Sequence, residues 1–287
     1  MFLEKYLEIY LEEIIRRALD EDIHTGDVTT QAVIPDYVFG RGKILVKANG
    51  VIAGLNVAKE VFEMIDDKID FKILIPDGEK VKAEDIVAIV EGKASSILTA
   101  ERTALNFLQR MSGIATLTNN FVEKIKHTKA KILDTRKTIP GLRMLDKEAV
   151  KFGGGKNHRI GLFDMFLIKD NHIEIAGSIT KAVNACREFQ QKKNLNLKIE
   201  VETKNLEEVQ EALTCNTDII MLDNFNTVIM KKAVELIGGE CLVEASGNIN
   251  TDNVKEVAET GVDFISVGAL THSVKALDIS LEVEPRK

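Results

Sequence analysis

The chain of 287 residues is 45% hydrophobic and 29% charged, with a formal net charge of −7 at pH 7. It therefore has enough apolar residues for a packed core, in one large domain or in two of unequal size. Three cysteines without a CxxC pair argue against a disulfide framework or a thiolate metal site, and no apolar run approaches the ~18 residues of a membrane helix. We expect a cytoplasmic protein that binds neither membranes nor nucleic acid.

The N-terminal part of the chain predicts a small α+β domain. Leucine and isoleucine recur at helical spacing in MFLEKYLEIYLEEIIRRALDED, which predicts an amphipathic helix. Short β-branched runs between residues 39 and 91, with turn dipeptides at Asn49-Gly50 and Asp77-Gly78, predict an antiparallel sheet. The following pattern, SSILTAERTALNFLQRMSGIATLTNNFVEKIKHT, predicts a long helix that is interrupted near Gly113.

One segment of this domain suggests a non-catalytic alternative. DGEKVKAEDIVAIVEG is similar to the hairpin of biotinyl and lipoyl carrier domains. A swinging-arm carrier needs an exposed lysine at the tip of that hairpin. Lys80 and Lys82 lie just after the Asp77-Gly78 turn instead, which argues against a carrier.

Beyond Ala130, six apolar runs of strand length alternate with helical stretches: KILDT, FLIK, LKIEVE, DIIMLD, CLVEAS and DFISVG. This alternation predicts parallel strands with crossover helices. Every run ends in polar or glycine-rich sequence, and a barrel brings all of these carboxyl ends around one cavity, whereas an open doubly wound sheet uses only one switch point. The runs are fewer than the eight of a complete barrel, so we expect an incomplete barrel, with SLEVEPRK as a final extended segment.

The most basic stretch lies between residues 132 and 172. It has eight Lys or Arg and five Asp or Glu, a local charge of 8 − 5 = +3 in an acidic protein. Such a cluster indicates a small polyanionic ligand in a focused cleft, because nucleic-acid binders spread their positive charge over a face. Lys147, Lys151 and Lys156 are typical of a solvated helix face. The cations beside strand ends or glycine turns are candidates for ligand contacts: Arg136, Lys137, His158, Arg159 and Lys169.

Glycine-rich segments are candidates for phosphate contacts. Gly153-Gly154-Gly155-Lys156 is not a Walker loop, because Val150 occupies the position of the first glycine and Asn157 follows the lysine. Its glycines would let the backbone approach a bound group or a partner subunit, or form a flexible loop. Ser246-Gly247-Asn248 and Val267-Gly268-Ala269 end consecutive strands late in the barrel, where backbone N–H groups can hold a phosphate.

Two carboxylates, Glu202 and Asp223, end adjacent predicted strands. They could bind a divalent ion, hold sugar hydroxyls or exchange protons; salt bridges to Arg136 and Lys169 are the alternative. Glu200 lies two residues before Glu202, so both side chains face the barrel interior.

The runs DTRKTIPGLR, GGGKNHRIGLFDMFLIKDNH, IEVE, MLDNF, EASGNI and SVGAL, in this order, resemble the quinolinate phosphoribosyltransferase family, the decarboxylating nicotinate-nucleotide pyrophosphorylases. The resemblance covers nearly the whole chain, including EDIHTGDVTT and TAERTALNFLQRMSGIAT. One departure is Ile139, where the family commonly has threonine.

The resemblance implies an α/β fold with two domains. Residues 114–273 would form an incomplete TIM-like α/β barrel, and residues 1–113 an N-terminal α+β domain of the open-faced sandwich type, to which residues 274–287 return. The N-terminal domain would cover the active site of a partner in a homodimer or a higher oligomer, with Arg102 contributed across the interface.

The resemblance also implies a reaction and its residues. A phosphoribosyl group would pass from phosphoribosyl pyrophosphate to quinolinate with decarboxylation, giving nicotinate mononucleotide, pyrophosphate and CO2 in NAD biosynthesis. Lys137, Lys169, Glu202 and Asp223 would be catalytic, and Glu202 and Asp223 would bind Mg²⁺. The implied substrate-binding residues are Arg102, Thr135, Arg136, Lys137, His158, Arg159, Lys169, Glu202, Asp223, Ser246, Gly247, Asn248, Val267, Gly268 and Ala269.

Other functions stay open from the sequence. The chain could be a related phosphoribosyltransferase that uses nicotinate or another anionic acceptor. It could also be a paralogue of the family that is tied to molybdate uptake. A nicotinate site needs to recognise only one carboxylate. An anion-binding protein without turnover would not need Glu202 and Asp223 beside the phosphate loops.

Overall fold

The computed structural model describes residues 2–286, which form two compact units. The first unit contains the residues up to Asn119, the segment 138–154 and the residues from Ser273 onward. The second unit contains residues 120–137 and 155–272. None of the described helices is long and apolar enough to cross a membrane.

The secondary structure alternates throughout the chain. Up to the longest helix, the elements are α1 (Phe2–Ile23), α2 (Val28–Val33), β1 (Phe39–Val46), β2 (Gly50–Val51), α3 (Leu55–Ile65), β3 (Asp70–Ile73), β4 (Lys80–Val81), β5 (Ile86–Lys93) and α4 (Ala94–Ile125). The remaining elements are β6 (Lys131–Leu133), α5 (Arg143–Phe152), β7 (Phe166–Ile168), α6 (Asp170–Ala176), α7 (Ile179–Lys193), β8 (Ile199–Thr203), α8 (Leu206–Thr214), β9 (Ile219–Asp223), α9 (Thr227–Ile237), β10 (Leu242–Ser246), α10 (Val254–Glu259), β11 (Phe264–Ser266), α11 (Ala269–His272) and β12 (Ile279–Pro285).

An antiparallel sheet organises the first unit. Its strand order is β12-β1-β5-β3, and β12 pairs with β1 from Gly40↔Pro285 to Val46↔Ile279. One side of the sheet is buried through residues such as Ile44 and Val90. The predicted antiparallel sheet is confirmed, and the end of the chain supplies one of its edge strands.

Helix α4 passes through Gly113 without interruption, so the predicted break is wrong. A Cβ at Gly113 would collide with the carbonyl oxygen of Lys275 and lie 3.0 Å from the Cα of Ala276. The glycine therefore gives the backbone of the last segment room to pack against the helix, and this packing outweighs the low helix propensity of glycine.

Gly153 has a similar packing role at the end of α5. A Cβ there would collide with the carbonyl oxygen of Ala115 and lie 2.6 Å from the Cβ of Thr118. The first glycine of the triple-glycine run thus lies against α4 of its own chain. Lys147, expected on a solvated face, is 2% exposed, so that prediction is wrong. Lys151 is exposed on α5 as predicted. Lys156 is also exposed, but it lies in a β-bridge and not on a helix.

A buried ion pair ties α5 to α4. The Nε and Nη2 atoms of Arg110 donate to the two carboxylate oxygens of Asp146 at 2.9 and 2.8 Å, and Asp146 is fully buried. Because removal of one partner leaves a buried charge uncompensated, we expect Asp146→Ala to lower the free energy of unfolding by about 3 kcal/mol. Urea denaturation measures this change.

The exposed Lys59–Glu63 pair of α3, with an N–O distance of 3.5 Å, supplies the matched control. Exposed pairs contribute little to stability, so Glu63→Ala should leave the urea midpoint almost unchanged. Equal effects of the two substitutions would show that the Arg110–Asp146 pair does not hold α5 in place.

Six parallel strands form the sheet of the second unit, in the order β6-β11-β10-β9-β8-β7. All five pairings between neighbours are parallel, and Lys156 adds an isolated parallel bridge to Leu133 beside β6. These strands correspond to the six predicted runs. The incomplete α/β barrel is therefore confirmed, and the carboxyl ends of its strands lie around one cavity.

Candidate active site

A cavity of about 710 Å³ lies at the carboxyl ends of the barrel strands. All but one of the predicted substrate-binding residues line it: Thr135, Arg136, Lys137, His158, Arg159, Lys169, Glu202, Asp223, Ser246, Gly247, Asn248, Val267, Gly268 and Ala269. The exception is Arg102, which is exposed on α4 in the first unit.

Several lining residues were missed by the sequence analysis. Asn224, Glu244, Ser266 and His272 also line the cavity. Glu244 lies two residues before Ser246 on β10, so the period-2 alternation of a strand could have placed it inside the barrel. Asn224 directly follows Asp223 and has a positive φ of 59°, which the sequence alone does not indicate.

The loop that carries His158 and Arg159 is held by a buried carboxylate. Asp134 is fully buried and accepts hydrogen bonds from the His158 backbone N–H at 2.8 Å and from Asn157 Nδ2 at 2.6 Å. Asp164 accepts from the backbone N–H groups of Ile160 and Gly161 at 2.7 and 2.9 Å. Both carboxylates fix the backbone on either side of Arg159.

Two guanidinium groups, those of Arg136 and Arg159, line this side of the cavity, and the charge of one affects the other. Burial, followed by the charge of Arg136, lowers the pKa of Arg159, whereas Glu200 and Asp164 act in the opposite direction. Arg159 Nη1 donates to the carbonyl oxygen of Met165 at 3.2 Å. Like charges held together in a partly buried site favour an anionic ligand with more than one acidic group.

Carboxylates occupy the neighbouring strand ends. Glu202 Oε2 lies 3.2 Å from Lys169 Nζ. The sequence suggests a salt bridge to Lys169 as one alternative role of these carboxylates. Asp223 Oδ2 accepts from Asn224 Nδ2 at 2.8 Å. Glu202 lines the cavity, whereas Glu200 lies deeper and is fully buried.

The glycine loop after β10 is linked to the end of β9. The Asn224 backbone N–H donates to the Ser246 carbonyl at 2.9 Å, and Asn248 Nδ2 donates to Asn224 Oδ1 at 2.9 Å. Gly247 has a φ of +94°, and a Cβ there would collide with Asn224 Oδ1. The second loop lies close to the side chain of Lys137, since a Cβ on Gly268 would lie 3.1 Å from Lys137 Cδ. Both loops thus present backbone to the cavity.

Two family descriptions match the chain. "Quinolinate phosphoribosyl transferase, N-terminal domain" matches residues 27–112, and "Quinolinate phosphoribosyl transferase, C-terminal domain" matches residues 114–282. The chain belongs to the quinolinate phosphoribosyl transferase family.

Similar proteins of this family come from plants and bacteria. The "Nicotinate-nucleotide pyrophosphorylase [carboxylating], chloroplastic" of Arabidopsis thaliana is 47% identical over 290 residues, covering 96% of this chain and 83% of that protein. A probable nicotinate-nucleotide pyrophosphorylase of Synechocystis is 45% identical over 278 residues, covering 96% and 93%.

Solved structures of family members agree with the fold. NadC from Streptococcus pyogenes has a TM-score of 0.93 at 38% identity, over 96% of this chain and 97% of that chain. The nicotinate-nucleotide pyrophosphorylase from Francisella tularensis has a TM-score of 0.92 at 44% identity, over 96% of each chain. The quinolinate phosphoribosyl transferase fold therefore extends over nearly the whole chain.

Proposed function

We propose that this protein transfers the phosphoribosyl group of phosphoribosyl pyrophosphate to the ring nitrogen of quinolinate and releases pyrophosphate, CO2 and nicotinate mononucleotide, a step of NAD biosynthesis. The observation that carries this proposal is that one cavity combines two guanidinium groups, two carboxylates and two glycine loops. Each group suits one part of the substrates, and their order around the cavity follows the order of the barrel strands.

The cationic side suits an aromatic dicarboxylate. A guanidinium group forms forked contacts with a carboxylate, whereas a lysine ammonium acts as a point charge. Arg136 and Arg159 would bind the two carboxylates, with His158 and Thr135 beside them. Lys137 and Lys169 would stabilise the charge on the leaving pyrophosphate.

The carboxylate side suits the ribose and a divalent cation. Glu202 and Asp223 supply hard oxygen atoms of the kind Mg²⁺ prefers, at strand ends that face the cavity. We assign the ribose hydroxyls and Mg²⁺ to these two residues. The ion would supply charge neutralisation on the pyrophosphate.

The order of bond changes follows from the charges. As the bond from the ribose carbon to pyrophosphate breaks, the sugar gains oxocarbenium character. The negative carboxylates of Glu202 and Asp223 would stabilise this positive charge. The ring nitrogen then donates its electron pair to that carbon. The quaternary nitrogen accepts electrons from the adjacent carbon–carboxylate bond, so CO2 leaves, and a proton fills the vacated ring position. No covalent enzyme intermediate is needed.

The glycine loops would hold the 5-phosphate, and Gly247→Ala tests this assignment. We expect the KM for phosphoribosyl pyrophosphate to rise at least about tenfold, because the side chain would disturb Asn224 and the loop backbone. Gly239 is the matched control: its φ is +85°, but nothing lies within 4 Å of a built Cβ. Equal KM values for the two alanine variants would contradict the phosphate assignment.

We further propose a homodimer in which Arg102 completes the partner's site, and the exposure of Arg102 supports this assignment. The three free cysteines support a cytoplasmic location. Mixing an Arg102→Ala protein with an Asp223→Asn protein would test the dimer. Mixed dimers hold one site with neither substitution, so activity should reappear after subunit exchange. Two variants that stay inactive after demonstrated exchange would contradict the shared site.

The choice of acceptor tests the proposed reaction. With Mg²⁺ and phosphoribosyl pyrophosphate, the purified protein should give mononucleotide from quinolinate and little from nicotinate, because the paired guanidinium groups need both carboxylates. Product from nicotinate alone would favour the related phosphoribosyltransferase. Tight binding of phosphoribosyl pyrophosphate without product from either acid would favour a binding protein.

A further inference from the structure

At the floor of the cavity, three buried side chains from separate elements meet, and two of them, His158 and Glu244, line the cavity. His158 Nε2 lies 3.0 Å from Glu200 Oε2 and 3.5 Å from Glu244 Oε2. The side chain of His158 is 7% exposed, and those of Glu200 and Glu244 are at most 1% exposed. Carboxylates this deep in a barrel are costly, so their presence calls for a function beyond stability.

The cluster has the residue types of a metal site, and its ligand-type atoms lie within 4.8 Å of one another. A hydrogen bond on the other side of the ring argues against a metal. His158 Nδ1 accepts from the Arg159 backbone N–H at 2.8 Å, so the ring proton must be on Nε2. An Nε2 that carries a proton has no lone pair for a metal ion, and this atom lies within 3.5 Å of a carboxylate oxygen of each glutamate.

The same cluster influences Arg159. The Glu200 carboxylate favours the charged form of Arg159, against burial and the charge of Arg136. Burial raises the pKa of Glu200 and of Glu244, and for Glu244 the neighbouring Glu200 adds to the rise. His158 is therefore linked to Arg159 through the backbone at Nδ1 and through Glu200 at Nε2.

We propose that Glu200 and Glu244 are positioning residues that hold His158 as the Nε2–H tautomer and thereby fix Arg159 at the acceptor end of the cavity. This inference rests on the proposed function, since Arg159 is assigned there to the quinolinate carboxylates. Both act through His158: Glu200 lies below the residues that line the cavity, and Glu244 is part of that lining.

Near-isosteric Glu200→Gln and Glu244→Gln variants separate positioning from stability. We expect kcat/KM for quinolinate to fall about 10- to 100-fold through loss of alignment, with a smaller change in the KM for phosphoribosyl pyrophosphate. The melting temperature should stay the same or rise, because a neutral amide is easier to bury than a carboxylate. Glu188→Gln, an exposed substitution on α7, is the control and should behave as the unmodified protein.

Coupling to His158 is the second test. If Glu200 acts through His158, the losses in a Glu200→Gln, His158→Gln double variant should be far from additive. Nitrogen-15 NMR of the substrate-free protein should show His158 with an unprotonated Nδ1 and a protonated Nε2.

Three results would overturn the inference: a His158 imidazolium or Nδ1–H tautomer, additive losses, or variants that lose activity only in proportion to lost folded protein. The proposed function fails separately, if the unmodified protein makes no mononucleotide from quinolinate.

Discussion

Arg159→Ala is expected to lower kcat/KM for quinolinate about 100-fold or more, equivalent to about 2.7 kcal/mol of transition-state stabilisation. Arg159 is half-buried beside Arg136, and its loop is pinned by Asp134 and Asp164. Removing it would leave a quinolinate carboxylate without its forked partner, in a cavity where water solvates it poorly. Steady-state kinetics with quinolinate as the varied substrate measure the loss.

Two further variants show whether the loss comes from the missing charge or from the missing forked contact. Arg159→Lys keeps the charge but loses the fork, so its activity should lie between that of the alanine variant and that of the unmodified protein. Lys192→Ala removes an exposed cation at the end of α7 and should leave the kinetics unchanged. Near-normal turnover of Arg159→Ala would remove Arg159 from the acceptor site.

Loss of both strand-end carboxylates should have a comparable or larger effect. In a Glu202→Gln, Asp223→Asn double variant we expect kcat to fall at least about 100-fold, and the Mg²⁺ concentration for half-maximal activity to increase. The amides keep the size of the side chains but lose the charge that would bind Mg²⁺ and stabilise the positive ribose. A titration of initial rate against Mg²⁺, with both substrates saturating, measures the two effects.

The release of Lys169 complicates this variant, because Glu202 pairs with it at 3.2 Å. An Asp223→Asn single variant supplies the comparison, since it leaves the Glu202–Lys169 ion pair in place. If Asp223→Asn alone leaves the Mg²⁺ dependence unchanged, the metal assignment of Asp223 is contradicted.

The barrel could be predicted because its signals are local. Each apolar run has strand length and ends in polar or glycine-rich sequence. Parallel strands have their carboxyl ends at the same edge of the sheet. The sequence positions of Lys169, Glu202 and Asp223 were therefore enough to place them around one cavity. Glu200 and Glu202 were correctly expected to face inward, since they alternate with Val201 on β8.

Features that depend on distant packing could not be predicted. Helix α4 continues through Gly113 because the backbone at Lys275, far along the chain, packs against it. Lys147 is buried although its local sequence is typical of a solvated helix. The depth at which Glu244 meets His158 depends on the stagger of the barrel strands, which the sequence does not indicate.

The measurement that tests the central claim most directly uses quinolinate labelled in the carboxylate next to the ring nitrogen, incubated with Mg²⁺, phosphoribosyl pyrophosphate and the purified protein. Labelled CO2 and unlabelled nicotinate mononucleotide should form in equal amounts, and neither should form without phosphoribosyl pyrophosphate. A mononucleotide that keeps the label, or labelled CO2 without mononucleotide, would contradict the assignment of this cavity to decarboxylating phosphoribosyl transfer.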